Sequence, residues 1–173
     1  MFTLLVMALI MTCLAVGTAF AVNDNPKQYP DTRQVCVQMD NMVVTKVIDN
    51  QTMYVQDSTN LFGIKVWRNA GHGCSEGTDI SHMYAFLRTD SDGERCLWMV
   101  DTVYPITINP NPSHTISPLR MTCSSVGGGD WNYNSSDGAG QMGVSGGIGL
   151  NNIGMLATIS GQLRSYDAVT RKV

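Results

Sequence analysis

The side chains best suited to contacting a ligand lie in one short ribbon, "YVQDSTNLFGIKVW", residues 54–67. It carries two rings, an amide and an ammonium: Tyr54, Gln56, Lys65 and Trp67. Rings stack on bases or sugars, a base stack being worth ~1–3 kcal/mol, while amide and ammonium groups reach polar substituents. The same residues have a plainer use, because aromatics suit any strand and single exposed rings are ordinary. Trp131 and Tyr133, in "GGGDWNYN", form a second aromatic pair, which reads as the anchor of a glycine-rich connector.

Thiols, imidazoles and carboxylates come next. Outside the N-terminal apolar run, which holds Cys13, stand Cys36, Cys74, Cys96 and Cys123. An even number in an exported chain favours disulfides, with three connectivities open. Zinc is the competing reading, helped by His72 two residues before Cys74, but no C-x-x-C pair exists and His82 and His114 are scattered. Asp90-Ser91-Asp92 offers oxygens to calcium in a loop too short to complete a cage. No metal or cofactor is therefore expected. Catalysis has no motif to rest on: there is no G-x-S-x-G, H-E-x-x-H or P-loop, and no histidine has an evident acidic orienter. A nuclease would need carboxylates and basic residues gathered in one cleft, and the sequence shows no such gathering. The expectation is a non-enzymatic protein.

These groups sit in a chain of 173 residues with net charge −3, room for one ordinary domain or a small one with extensions. The mild acidity lacks the footprint of a general nucleic-acid binder. Residues 1–21, "MFTLLVMALIMTCLAVGTAFA", carry no charge and close on an A-x-A site, as a cleaved secretory signal does. An uncleaved membrane anchor is the alternative, the run being nearly long enough to span a bilayer. With cleavage, the protein is secreted, periplasmic or on the cell surface, without a stable membrane span. Residues 22–34 are polar, with Pro26 and Pro30, and read as an extended leader.

From residue 35 the texture is that of strands. "VCVQMDNMVVTKVID" changes its alternation at Asp40-Asn41, the mark of a β-bulge. Asp49-Asn50-Gln51 turns into a second strand at residues 52–57, and a third follows at residues 63–67. Alternation points Met53, Val55, Ile64 and Val66 inward and Tyr54, Gln56, Lys65 and Trp67 outward. "RNAGHGCSEG" is a loop. "DISHMYAFLRTD" and "RCLWMVDTVYPITI" are the fourth and fifth strands, joined by a turn at Asp92-Gly93. Nine of the 17 glycines fall in residues 126–150, a composition that by itself makes a loop. Residues 151–173 return to strand-like types.

Five strands with a long, bulged first strand and a short last hairpin outline a small Greek-key barrel. "VVTKVIDNQTMYVQDSTNLFGIKVW" resembles the meander of the first three strands of the oligonucleotide/oligosaccharide-binding (OB) fold, and residues 77–103 resemble its fourth and fifth strands. The resemblance implies an all-β, five-stranded Greek-key OB-like barrel over residues 35–109, with a ligand face on strands 2 and 3. It also implies a tentative Cys74–Cys96 disulfide, because strands 3 and 5 run side by side in that fold. Residues 110–150 are similar to the connector between tandem barrels in exported bacterial proteins, and "GLNNIGML" there leads into the next barrel's first strand. Residues 151–173 are then an extra strand, either the start of a truncated second barrel or a strand recruited to the first. For partners, a carbohydrate or a protein surface fits as well as single-stranded nucleic acid.

Overall fold

The computed structural model describes residues 25–29, 36–59, 61–99, 105–136 and 139–162. The expected signal peptide, most of the expected leader and residues 163–173 lie outside them. Five strands close into a barrel: β1 (Cys36–Val47), β2 (Thr52–Asp57), β3 (Gly63–Arg68), β4 (Asp79–Thr89) and β5 (Arg95–Met99). Their order is β1-β2-β3-β5-β4, and β4 pairs back onto β1 over Cys36↔Phe86 to Val43↔Asp79. All neighbours are antiparallel except β3 and β5, which run parallel. The protein is all-β, and this arrangement is compatible with an OB-like fold.

Alternation builds the interior. Met53, Val55, Ile64, Val66, Met83, Ala85, Leu87, Leu97 and Met99 are all buried and belong to one cluster. Full burial of such a side chain is worth about 1.5–3 kcal/mol. β1 serves two partners by changing the face it turns inward. Val37 and Met39 point in before the change, Met42 and Val44 after it. At the change Asn41 takes a left-handed backbone (φ 54), which Asn tolerates better than most residues. The register against β4 continues across Asn41, and the slip expected there falls instead against β2, between Val44 and Lys46.

Each turn has its own fastener. Asp57 accepts hydrogen bonds from the backbone N–H of Thr59, Leu61 and Phe62, holding the β2–β3 turn. Asp90 does the same for Asp92 and Glu94 in the β4–β5 turn, where Gly93 is left-handed. The loop after β3 contains no helix. His72 pins it: Nδ1 accepts from the Cys74 N–H and Nε2 lies 2.8 Å from the Asp49 carbonyl. The expected fifth strand is described as β5 over Arg95–Met99, residues 100–104 lie outside the described residues, and β6 (Thr107–Ile108) pairs with β4.

The glycine-rich part folds back onto the barrel. β7 (Leu119–Thr122) pairs in parallel with β10 (Ala157–Ser160), and β8 (Trp131–Asn134) forms a hairpin with β9 (Ala139–Gln141). Two asparagines tie the intervening loops. Asn151 donates to the carbonyls of Gly129 and Met142, and Asn152 accepts from Gly127 N–H while donating to the Ser125 carbonyl. Glycines let the backbones touch: a Cβ on Gly128 would lie 2.0 Å from the Leu150 carbonyl oxygen. The tail reaches the barrel where Leu156 N–H donates to Gln56, Thr89 donates to the Gly140 carbonyl, and Gln141 accepts from Arg95 N–H.

The leader is not extended where it is described. Residues Pro26–Gln28 make a single 3-10 turn, capped by Asn25, against the hairpin β8–β9. Lys27 is completely buried there, its ammonium donating to Asn151 Oδ1 and the Ile153 carbonyl. Burial lowers its pKa to about 8, against the opposing pull of Glu94. Arg95, equally buried, bonds Thr89 and the Tyr29 carbonyl.

Candidate ligand-binding face

Pairing of β2 with β3 sets Tyr54 beside Lys65 and Thr52 beside Trp67 on the outer surface of the barrel. The four residues expected to form a ligand face thus share one side of the sheet, but three of them are already engaged. The β4–β5 turn folds over the first pair. Lys65 lies 2.9 Å from Asp90 and 3.2 Å from Glu94, and the Tyr54 hydroxyl donates to Glu94 at 2.7 Å. Partial burial alone would lower the Lys65 pKa; the two carboxylates outweigh it and raise the value. Burial, then the Glu94 hydrogen bond, raises that of Tyr54. One ammonium against two carboxylates leaves this corner net negative, and it repels phosphate. Gln56 was expected in solvent. It is fully buried, because the tail covers it and its Oε1 accepts from Leu156 N–H at 2.8 Å.

Trp67 remains available, in different company. Parallel pairing of β3 with β5 sets Trp67 beside Trp98, and β4 sets Phe86 on the other side of Trp98. The two indoles meet edge to face, centroids 5.1 Å apart. Arg88 lies over the Trp98 ring with its guanidinium carbon 3.5 Å from the centroid. Arg88 forms no ion pair among the described residues, and its Nε lacks a hydrogen-bond partner. Trp98 is 36% exposed. Further along β4, Tyr84 and His82 continue the band at 5.9 Å centroid separation. The outer surface of β3, β5 and β4 therefore carries a row of rings with a guanidinium stacked on one of them. Sequence reasoning passed over Trp98, Phe86 and Arg88. Their alternation in "HMYAFLR" and "CLWM" marks them as outward-facing, but only the β3–β5 pairing brings them to Trp67.

The expected Cys74–Cys96 disulfide is not formed; both residues are thiols, Cys96 buried and Cys74 partly so. The parallel register places Cys96 beside Lys65, near the start of β3, whereas Cys74 follows the end of β3. β3 runs on for three residues past Lys65, roughly 10 Å of strand, before the loop that carries Cys74 begins, whereas the Cα atoms of a disulfide lie about 4.4–6.8 Å apart. Burial pushes the Cys96 thiol up to about 12 and also raises that of Cys74.

One histidine does have an acidic orienter. His114 Nδ1 lies 3.0 Å from buried Asp79, which also accepts from the backbone N–H of Ser113 and His114. Burial would raise the Asp79 pKa; the His114 and backbone hydrogen bonds outweigh it, leaving the value lowered. The sequence could not show this pair because 35 residues separate its members. His114 makes no hydrogen bond to a hydroxyl or thiol among the described residues, so the pair clamps residues 105–118 against β4. No group of three potential metal ligands occurs among the described residues, nor any helix long and apolar enough to cross a membrane. Asp90 is occupied by its own turn and by Lys65.

Comparison with protein-family models, curated proteins and solved structures finds no match.

Proposed function

We propose that the chain is an exported, non-enzymatic binding module on an OB-like Greek-key barrel, with its ligand face on the outer surface of β3, β5 and β4. The observation that carries this reading is the Trp67–Trp98 pair with Arg88 stacked on it. Rings in edge contact, partly in solvent and backed by a sheet, offer stacking at little ordering cost. The tail lies against this barrel through Gln56 and Gly63, while its strand β10 pairs with β7 and not with a barrel strand. Export rests on the signal-like residues 1–21.

Single-stranded nucleic acid is the second reading, favoured by the Arg88 guanidinium lying over the Trp98 ring. Quenching of tryptophan fluorescence by a single-stranded oligonucleotide and by a neutral oligosaccharide, each followed across a salt series, distinguishes the ligands. Binding through phosphates weakens steeply with salt, and ring stacking barely responds. Binding of either ligand should fall roughly tenfold or more in Trp98→Ala, the scale of one stacking contact. Indifference of every ligand to Trp67→Ala and Trp98→Ala would refute the face.

A further inference from the structure

The glycine-rich tail has a concavity of its own, away from the barrel's aromatic row. The start of β8 and the loop before Asn152 form an open groove of about 280 Å³, lined by Asp130, Trp131, Asn132, Gly149, Leu150 and Asn151. We propose that this groove is a second binding site, for a neutral saccharide unit.

Its volume lies near the lower end of the range for small-molecule sites, about 300–1,000 Å³, and suits a compact ring rather than a polymer segment. The apolar surface comes from half-buried Trp131 and half-exposed Leu150. An indole presents a flat apolar body to the C–H face of a sugar ring. The polar surface is the Asp130 carboxylate, the Asn132 amide and backbone, because buried Asn151 spends its amide on the walls. Asp130 Oδ1 accepts from Gly143 N–H at 2.7 Å, which fixes the side chain, and a carboxylate has lone pairs to spare for hydroxyls. Asn132 sits on a left-handed backbone (φ 49) with its amide turned to the Gln28 carbonyl, exposing its remaining polar edge at the rim.

Charge narrows the ligand class. Asp130 is the one charged residue in the lining, so phosphates, sulfates and uronic acids meet repulsion. Lys27 stands behind Asn151, wholly buried, and saturates the inner side of that amide instead of facing the groove. An ammonium ligand would satisfy Trp131 and Asp130 but would only donate hydrogen bonds. Hydroxyls donate and accept, matching a rim where the Asp130 carboxylate and the Asn132 amide stand side by side.

The walls are set in advance. Gly143 and Gly147 pack backbone on backbone against residues 128–129, Asn151 makes four hydrogen bonds, and the space around Gly149 is open. A groove built this way needs little reorganisation on binding.

The test uses the full chain and neutral trisaccharides of glucose, mannose and N-acetylglucosamine, with methylammonium as the competing cation, monitored by saturation-transfer NMR. At least one trisaccharide should bind. Trp131→Ala and the space-filling Leu150→Trp should each weaken it roughly tenfold or more. Asp130→Asn retains the Gly143 contact and should weaken it less, and Trp98→Ala should leave it unchanged. Thermal unfolding confirms that each variant is folded, and Leu150→Trp serves if Trp131→Ala is not. Binding by none of the trisaccharides, binding indifferent to Trp131→Ala and Leu150→Trp, or methylammonium bound in place of sugar overturns the proposal. Sugar binding lost in Trp98→Ala alone would overturn it while leaving the barrel face standing.

Discussion

Gly63, the first residue of β3, and Gly154, in the tail, meet backbone to backbone: a Cβ on Gly63 would stand 2.1 Å from the Gly154 carbonyl oxygen. No rotamer relieves such an overlap. Gly63→Ala should therefore push the tail off the barrel, breaking the adjacent Leu156–Gln56 hydrogen bond, at about 1–3 kcal/mol. The expected result is faster protease cleavage within residues 125–160 with the barrel's circular dichroism unchanged. An unaltered cleavage rate would show that the tail is not seated there.

Alkaline titration should report Lys27. The unfolded chain holds this proton to a pKa near 10.5 and the folded chain to about 8. Between those values the unfolded state binds more protons, so stability rises with pH. Cys96 opposes this from its unfolded value of 9.0 upward, because the folded chain keeps its thiol proton to about 12. The net rise is thus confined to roughly pH 8–9 and amounts to about 1 kcal/mol. Urea denaturation across that window should show it, and Lys27→Met should abolish it.

Acid should act through Asp79. Its lowered pKa means that its contribution is complete above 3.8 and is lost as pH falls through the folded value. Asp79→Asn should destabilise the protein at pH 7 by about 1–3 kcal/mol, through the weakened bonds to His114 and the backbone. It should also flatten the stability profile between pH 4 and 2. A profile that keeps the wild-type slope would place the acid sensitivity elsewhere.

Alkylation should rank the thiols. In the folded protein exposed Cys123 should react first and buried Cys96 last, and denaturation without reductant should make all four available. Mass spectrometry reads each site, and two sites protected after denaturation would reveal a disulfide.

The barrel was legible because its signals are local. Alternation in β2 and β3 placed Met53, Val55, Ile64 and Val66 inside, where they are, and Asp40-Asn41 marked the change of face in β1. The occupancy of the expected ligand face was not legible. Tyr54 and Lys65 are taken up by Glu94 and Asp90, and Gln56 by Leu156, a hundred positions away. Trp98 joins Trp67 only through a parallel pairing that no periodicity announces. The tail was the hardest part. Its order comes from glycine backbones in contact and from the Asn151–Asn152 pair, features that composition reads simply as loop.

The ammonium of Lys27 grips a side chain 124 positions further along. Closing so wide a chain loop is entropically late, since loop entropy grows with span and must be met before the distant contacts can form. The amino-terminal turn can dock only after its receptor has emerged and folded. During synthesis, the segment made early is the last to come to rest, and the interval before it does is when the flank it covers stands open to chaperones and proteases.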